Sequence, residues 1–162
     1  MKRLLLLVGI PGSGKTTLAQ KLIEKGYHCL NADSIRRELY GDAAAQGDPE
    51  QVFAIFFKQL EEALKAEKAI VIDNTNANPK QRKPILDMAK ANGYDDIQIW
   101  LMDVSLEVCL ERNQGRDRVV SDDIVRNMYK TVFGPGRPQR SEGKIVLVRP
   151  GANVGEFNFI TQ

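Results

Sequence analysis

Apolar residues along this chain fall into two alternating kinds of segment. One kind is short and almost continuously apolar: residues 4–8 (LLLLV), 27–31 (YHCLN), 69–73 (AIVID), 96–104 (DIQIWLMDV) and 144–149 (KIVLVR). Such runs read as strands buried on both faces. The other kind repeats its apolar positions three and four residues apart, as amphipathic helices do. Leu18, Leu22 and Ile23 share a face over 15–25, where Gly26 is the expected stop. Phe53, Phe56, Phe57, Leu60 and Leu64 share a face over 49–67, with Asp48 as cap and Pro49 in the first turn. That aromatic stripe is read as core. Further helices are predicted over 34–40 up to Gly41, from Asn78-Pro79 to about 92 before Gly93, from Ser105 to about 112, and over 122–133 behind Ser121.

Strands alternating with helices imply an α/β fold, a doubly wound, five-stranded, mainly parallel sheet with helices on both faces. Right-handed crossovers bring the C-terminal ends of the strands, and their loops, to one edge. Chemistry is therefore expected after Val8, Leu30, Ile72, Val104 and Val148. The domain should run over residues 1–150, with 151–162 (GANVGEFNFITQ) a packed or frayed tail of no clear period.

Composition narrows this little. A chain of 162 residues suits one domain, and a net charge of +2 is too small to argue nucleic-acid binding by itself. The longest apolar run, 4–8, is far too short to span a membrane, and no secretory pattern opens the chain, so a cytoplasmic protein is expected. Cys29 and Cys109 stand alone and read as free thiols without metal or redox spacing. The sequence is compatible with a homo-oligomer.

The loop after the first strand carries the strongest chemical signal. Gly9-Ile10-Pro11-Gly12-Ser13-Gly14-Lys15-Thr16 is a G-x-x-x-x-G-K-[ST] loop in the strand–loop–helix context that the motif needs, and Thr17 follows it. Its glycines let successive N–H groups point inward as an anion nest, and the helix beginning near Lys15 adds its positive end. Lys15 supplies charge for the outer phosphates, and the Thr16 hydroxyl is placed to ligate Mg²⁺. A nucleoside triphosphate, read as ATP with Mg²⁺, is the expected ligand.

Three further stretches suggest what is done with it. Asp33 follows the second strand, where a carboxylate can accept the proton of an attacking hydroxyl, or simply cap the next helix. Arg36, three residues on, shares its side of that helix and suits an anionic acceptor. Asp73 ends the third strand in a Walker B pattern that suits Mg²⁺. Asn76 is a candidate acceptor contact or a turn residue, and Asn78 before Pro79 is read as a cap. Arg112, Arg116 and Arg118 cluster around the connection between two helices, with 113–121 a candidate lid over the phosphates. The bland alternative is a solvated basic loop paired with Glu111, Asp117 or Asp122.

In this order and spacing, GIPGSGKTT, NADSIRRE, DNTNANPKQR and RNQGRDRVVSDDIVRNMYK resemble the polynucleotide 5′-hydroxyl kinase family, including the kinase module of phage end-healing enzymes. The resemblance runs over about residues 2–129. It implies ATP-dependent phosphorylation of a 5′-OH end of RNA or DNA. Carried over by position, Asp33 would be the general base and Arg36 the clamp on the acceptor's 3′-phosphate. Lys15 and Thr16 would hold the ATP phosphates and Mg²⁺, Arg116 would be the lid arginine, and Arg112 matches a further lid position. The chain departs from the phage pattern D-T-N-x-N-P, with Asn74 where that pattern has Asp and its own Asp at Asp73, and its lid is one residue shorter. No phosphatase or nucleotidyl-transferase motif accompanies the domain, so partner activities are expected on other polypeptides.

Two other readings compete. The same sheet, base and lid would serve a P-loop kinase of a small metabolite, such as a sugar acid, nucleoside or antibiotic. A nucleotide-dependent switch or ATPase would transfer only to water. Against the latter, no guanine-reading N-K-x-D occurs, and Asp33 holds an acceptor position that a switch does not need.

Overall fold

The computed structural model describes residues 2–41, 47–116 and 119–162. The middle of the 41–49 loop, and Asp117 and Arg118 of the candidate lid, therefore lie outside the described residues. The elements are β1 (Arg3–Val8), α1 (Lys15–Glu24), β2 (His28–Leu30), α2 (Ala32–Tyr40), α3 (Pro49–Lys65) and β3 (Ile70–Asp73). They continue with α4 (Pro79–Ala91), β4 (Asp96–Met102), α5 (Leu106–Gln114), α6 (Asp122–Val132), β5 (Lys144–Pro150) and β6 (Phe157–Thr161).

One sheet runs in the order β2-β3-β1-β4-β5-β6. The first five strands are parallel, and β6 pairs antiparallel with β5. The parallel five-stranded core agrees with the alternation of strand and helix signals. The sixth strand corrects the reading of 151–162 as a tail without period. β6 is an edge strand with mostly exposed side chains, so it lacks the continuous apolar run that marks its neighbours. Phe159 nevertheless packs on Trp100, ring centroids 5.0 Å apart.

β1 lies at the centre, with β3 on one side and β4 on the other. Successive strand residues point to opposite faces, so both sets must be apolar here. Leu4, Leu6 and Val8 join Ile70, Ile72, Ile99 and Leu101 in a large core with Phe56 and Leu60 of α3 and Ile85 of α4. Leu5 and Leu7 join Val71 and Val148 in a smaller one against Leu18, Ala19 and Leu22 of α1. The caps fall where the sequence predicts them. Asp48, Asn78, Ser105 and Ser121 each accept a hydrogen bond from the first turn of the following helix.

A buried cation pins the loop after β3. Arg82 is wholly buried; its Nε and Nη2 reach the two Glu142 carboxylate oxygens at 2.7 and 3.2 Å, and its Nη1 donates to Asn76 O at 2.9 Å. Glu142 also accepts from Gln139 N at 2.8 Å. A Cβ on Gly136 would stand 2.2 Å from Ala77 O, so the loop before β5 lies hard against the turn after β3. Glu142→Ala leaves the guanidinium without its counter-charge, and we expect a loss of roughly 3–5 kcal/mol in urea unfolding. A loss under about 1 kcal/mol, the value of a surface pair, would contradict this account of the pair.

Candidate active site

The glycine-rich loop is shaped by its own sterics. Gly12 and Gly14 have φ of 84° and 94°, in the left-handed region that glycine adopts without strain. A Cβ on Gly12 would stand 2.4 Å from Cys109 O, and one on Gly9 would meet Ser13 Oγ at 2.6 Å. Gly9 N donates to Thr75 O at 3.2 Å, tying the loop to the turn after β3. α1 begins at Lys15 with no acidic residue in its first turn, so its N–H groups face the loop uncompensated by a carboxylate. Ser13 is 2% exposed, and its Oγ has no hydrogen-bond partner among the described residues. A nest of N–H groups, a buried unpartnered hydroxyl and a lysine are the donor set that a polyphosphate requires.

A cavity of about 620 Å³ opens over this loop. Pro11, Gly12, Ser13, Gly14, Lys15, Thr16 and Thr17 form its floor, Arg112 and Arg116 one wall, and the segment from Pro150 to Phe157 another. Arg112 and Arg116 thus stand beside the phosphate loop, while Arg118 of the same cluster lies outside the described residues. Asn113 closes the base of the lid: its Nδ2 donates to Val120 O, and its Oδ1 accepts from Val120 N at 3.2 Å. Arg116 follows three residues later and is near enough to Lys15 to act on its charge.

Charge around the loop is concentrated: Lys15 is half-buried in the floor of the cavity, and Asp73 is buried. Burial lowers the Lys15 pKa most; Arg116 lowers it further, while Asp73, Asp33 and Cys109 oppose. Asp73 is 6% exposed, and burial is also the largest influence on its carboxyl, pushing its pKa up. Lys15 and the Asn31 amide, whose Nδ2 reaches Asp73 Oδ2 at 3.3 Å, pull the other way, and Asp33 adds to the rise. The neighbouring Asn74 does something different. Its Oδ1 accepts from Ala32 N at 3.0 Å and fixes the start of α2 to the end of β3. Asp73, the last residue of β3, and Lys15 each act on the other's charge.

A second cavity of about 420 Å³ lies over the C-terminal ends of β2 and β3. Asp33 and Arg36 line it together, Arg36 Nη1 donating to Asp33 Oδ1 at 2.7 Å, with Lys80 of α4 nearby on the wall. Asp33 does not cap α2. Asn31 does, accepting from Ser34 N at 3.1 Å, and the helix starts two residues earlier than predicted, with Asp33 in its first turn. Thr75, which lines the second cavity, accepts from Gly9 N of the phosphate loop at 3.2 Å, so the second cavity adjoins that loop. Asn76 lines the second cavity, but its amide serves the fold: φ is 51°, and Nδ2 donates to Leu7 O at 2.8 Å and to Asn74 O at 3.3 Å.

Two contributions escaped the sequence reading. The segment from Pro150 to Phe157 walls the first cavity; the Gly151 and Gly155 bracket, followed by Phe157 and Phe159 at strand spacing, was the available signal. Phe53, assigned to the core, is 39% exposed and lines the second cavity. The buried face of α3 is Val52, Phe56, Leu60, Ala63 and Leu64, and Phe53 sits one position off it.

The AAA domain family matches residues 4–135. A putative bifunctional polynucleotide kinase/RNA ligase of Autographa californica nuclear polyhedrosis virus is 34% identical over an alignment that covers 80% of this chain and 20% of that protein. An adenylate kinase of Nautilia profundicola is 32% identical over 97% of this chain and 93% of its own. Among solved structures, a chain in the Pnkp1/Rnl/Hen1 RNA repair complex shares the fold with a TM-score of 0.71, at 23% identity over 80% of this chain and 43% of that one. The chain belongs to the AAA domain family as a P-loop kinase domain, and the polynucleotide kinase resemblance read from its motifs holds over most of its length. It spans between 18% and 30% of the lengths of three curated polynucleotide kinase relatives. A P-loop kinase is a phosphotransferase, and membership implies ATP and Mg²⁺. No described helix is long and apolar enough to cross a membrane.

Proposed function

We propose that this chain is an ATP-dependent polynucleotide kinase that transfers the γ-phosphoryl of ATP to a 5′-OH end of RNA or DNA. The observation that carries the reading is the Asp33–Arg36 pair in a cavity of its own, adjoining the phosphate loop yet distinct from it. A general base and an anion clamp together describe an acceptor that carries both a hydroxyl and a phosphate. Relatives that bear the name polynucleotide kinase support a polynucleotide acceptor.

In this mechanism the loop N–H groups, Ser13 and Lys15 hold the β- and γ-phosphates. Thr16 and Asp73 are the residues that would hold Mg²⁺. The ion would neutralise charge on the β- and γ-oxygens. Asp33 orients the 5′-hydroxyl and accepts its proton as the new O–P bond forms and the bond to ADP breaks. Arg36 holds the 3′-phosphate of the same nucleotide, fixing the hydroxyl in line. Arg116, carried on the lid, meets the charge that spreads over the transferred phosphoryl. Arg116→Ala should therefore lower kcat about 10²–10³-fold with a small change in ATP affinity. A variant that loses ATP affinity and keeps kcat would assign Arg116 to ground-state binding instead.

Nucleosides with and without a 3′-phosphate test the acceptor half. Arg36→Ala should cut kcat/KM for the 3′-phosphorylated acceptor roughly 10- to 100-fold more than for the unphosphorylated one, the worth of a charge-assisted contact, since the loss of the Asp33 partner falls on both. Equal loss on both would remove the clamp.

A small-molecule acceptor is the second reading. Its support is the adenylate kinase relative, which matches nearly the whole of both chains. Under it, Arg36 would grip an anionic group on a mononucleotide or metabolite.

A further inference from the structure

We infer that Asn31 is a positioning residue, holding the Asp73 carboxylate for Mg²⁺ with the same amide that caps the helix carrying Asp33. This rests on the reading of Asp73 as a residue that would hold the ion, and it adds the group that orients it. β2 and β3 run parallel, and Leu30 beside Ile72 is their last paired position. One residue further along, side chains take over from the backbone ladder. Asn31 Nδ2 donates to Asp73 Oδ2 at 3.3 Å, and Ala32 N donates to Asn74 Oδ1 at 3.0 Å. Both bonds run from the start of α2 to the end of β3.

The Asn31 amide is oriented from its other end. Its Oδ1 accepts from Ser34 N at 3.1 Å and caps α2, so the donor Nδ2 is the atom turned to Asp73. Among side chains that cap helices well, Ser, Thr and Asp offer an oxygen, and Asn alone adds an N–H donor on a separate atom. Asp73 needs such a partner. Its carboxyl is 6% exposed, and a buried carboxylate is costly unless it is hydrogen-bonded. One N–H engages one oxygen and leaves the further lone pairs of the carboxylate for an ion. Carboxylate ligands are themselves oriented by hydrogen bonds, and losing such a partner typically costs about 10- to 100-fold in metal affinity. At 3.3 Å the contact is long for an N–H donor, so the lower end of that range is expected. One side chain thus ties the frame of the proton acceptor, in the first turn of α2, to that of the ion.

A residue that only caps α2 could be replaced by serine at little cost, and that difference is the test. Asn31→Ser keeps an oxygen for Ser34 N and takes the N–H from Asp73; Asn31→Ala removes both. Neither touches the bond from Ala32 N to Asn74. ATP binding without acceptor is measured by calorimetric titration over a range of Mg²⁺ concentrations and in EDTA, with thermal unfolding alongside. Asn31→Ser should need roughly 10-fold more Mg²⁺ to reach half of the metal's enhancement of ATP binding, while binding in EDTA and the unfolding midpoint stay near wild type. Asn31→Ala should show the same shift and a lower midpoint. Asn31→Thr, an independent cap without the amide, should repeat the serine result. Asp73→Asn is the control for the ion. Wild-type Mg²⁺ dependence in the serine and threonine variants, with a raised requirement in Asp73→Asn, overturns this inference and leaves Asp73 its role. Unchanged dependence in all three overturns both. Equal loss of ATP binding with Mg²⁺ and in EDTA would also overturn it, because the phosphate loop itself would then have moved.

Discussion

Asp33→Ala should lower phosphoryl transfer by about 10²–10⁴-fold while ATP binding stays within about threefold of wild type. The expectation follows from where the carboxylate stands. It is in the first turn of α2, excused from capping by Asn31, and held toward the second cavity by Arg36 at 2.7 Å. ATP is expected in the first cavity, whose lining does not include Asp33. Removing the carboxylate therefore takes away the proton acceptor and the orientation of the hydroxyl, and leaves the phosphate loop unaltered. Single-turnover rates with saturating acceptor, together with calorimetric titration of ATP, separate the two effects. A variant with near-normal turnover would show that Asp33 is not the base. One that loses ATP affinity in proportion to its rate would show that the carboxylate supports the loop.

Lys15→Ala should cost about 10²–10³-fold in kcat/KM, with both ATP affinity and the chemical step reduced. Lys15 is the cation in the floor of the first cavity, and burial with a neighbouring arginine already works against its charge. A half-buried ammonium is less screened in its contact with a phosphate than one on an open surface. Lys15→Arg should recover little, since a planar fork does not replace a compact ammonium among close backbone N–H groups. The measurement is the same pair of titrations and rates. A loss under about tenfold would place the phosphate charge on the arginines of the lid.

How much of this was legible in the sequence varies with the physical source of the signal. β1, β3 and β5 were readable because burial on both faces forces almost unbroken apolar runs, and β4 because buried Ile97, Ile99 and Leu101 alternate with half-buried residues. Four helix caps, Asp48, Asn78, Ser105 and Ser121, were readable because a side chain that satisfies orphan N–H groups must sit at one fixed position. Asn31 was not picked out as a cap, because Asp33 and Ser34 beside it are equally good cap formers. β6 was hidden because an edge strand needs to please only one neighbour, and its side chains are mostly exposed. In the site, the loop and the Asp33–Arg36 pair were read from spacing along single elements, and Arg116 from its place in the connection between α5 and α6 and from the family resemblance. Phe53 did not, since one helical step separates a core face from a cavity wall, and period alone does not resolve that step. The wall from Pro150 to Phe157 was out of reach for another reason: it faces the phosphate loop only because β5 brings it there in three dimensions.

The central claim is the identity of the acceptor, and one competition measures it. Wild-type protein is given γ-labelled ATP, Mg²⁺, a single-stranded 5′-OH oligonucleotide and, in the same tube, AMP, nucleosides and sugar acids at higher concentration. The account predicts that label appears on the oligonucleotide's 5′ end first and most. Label confined to AMP or another small molecule, with the oligonucleotide unmarked, would contradict it.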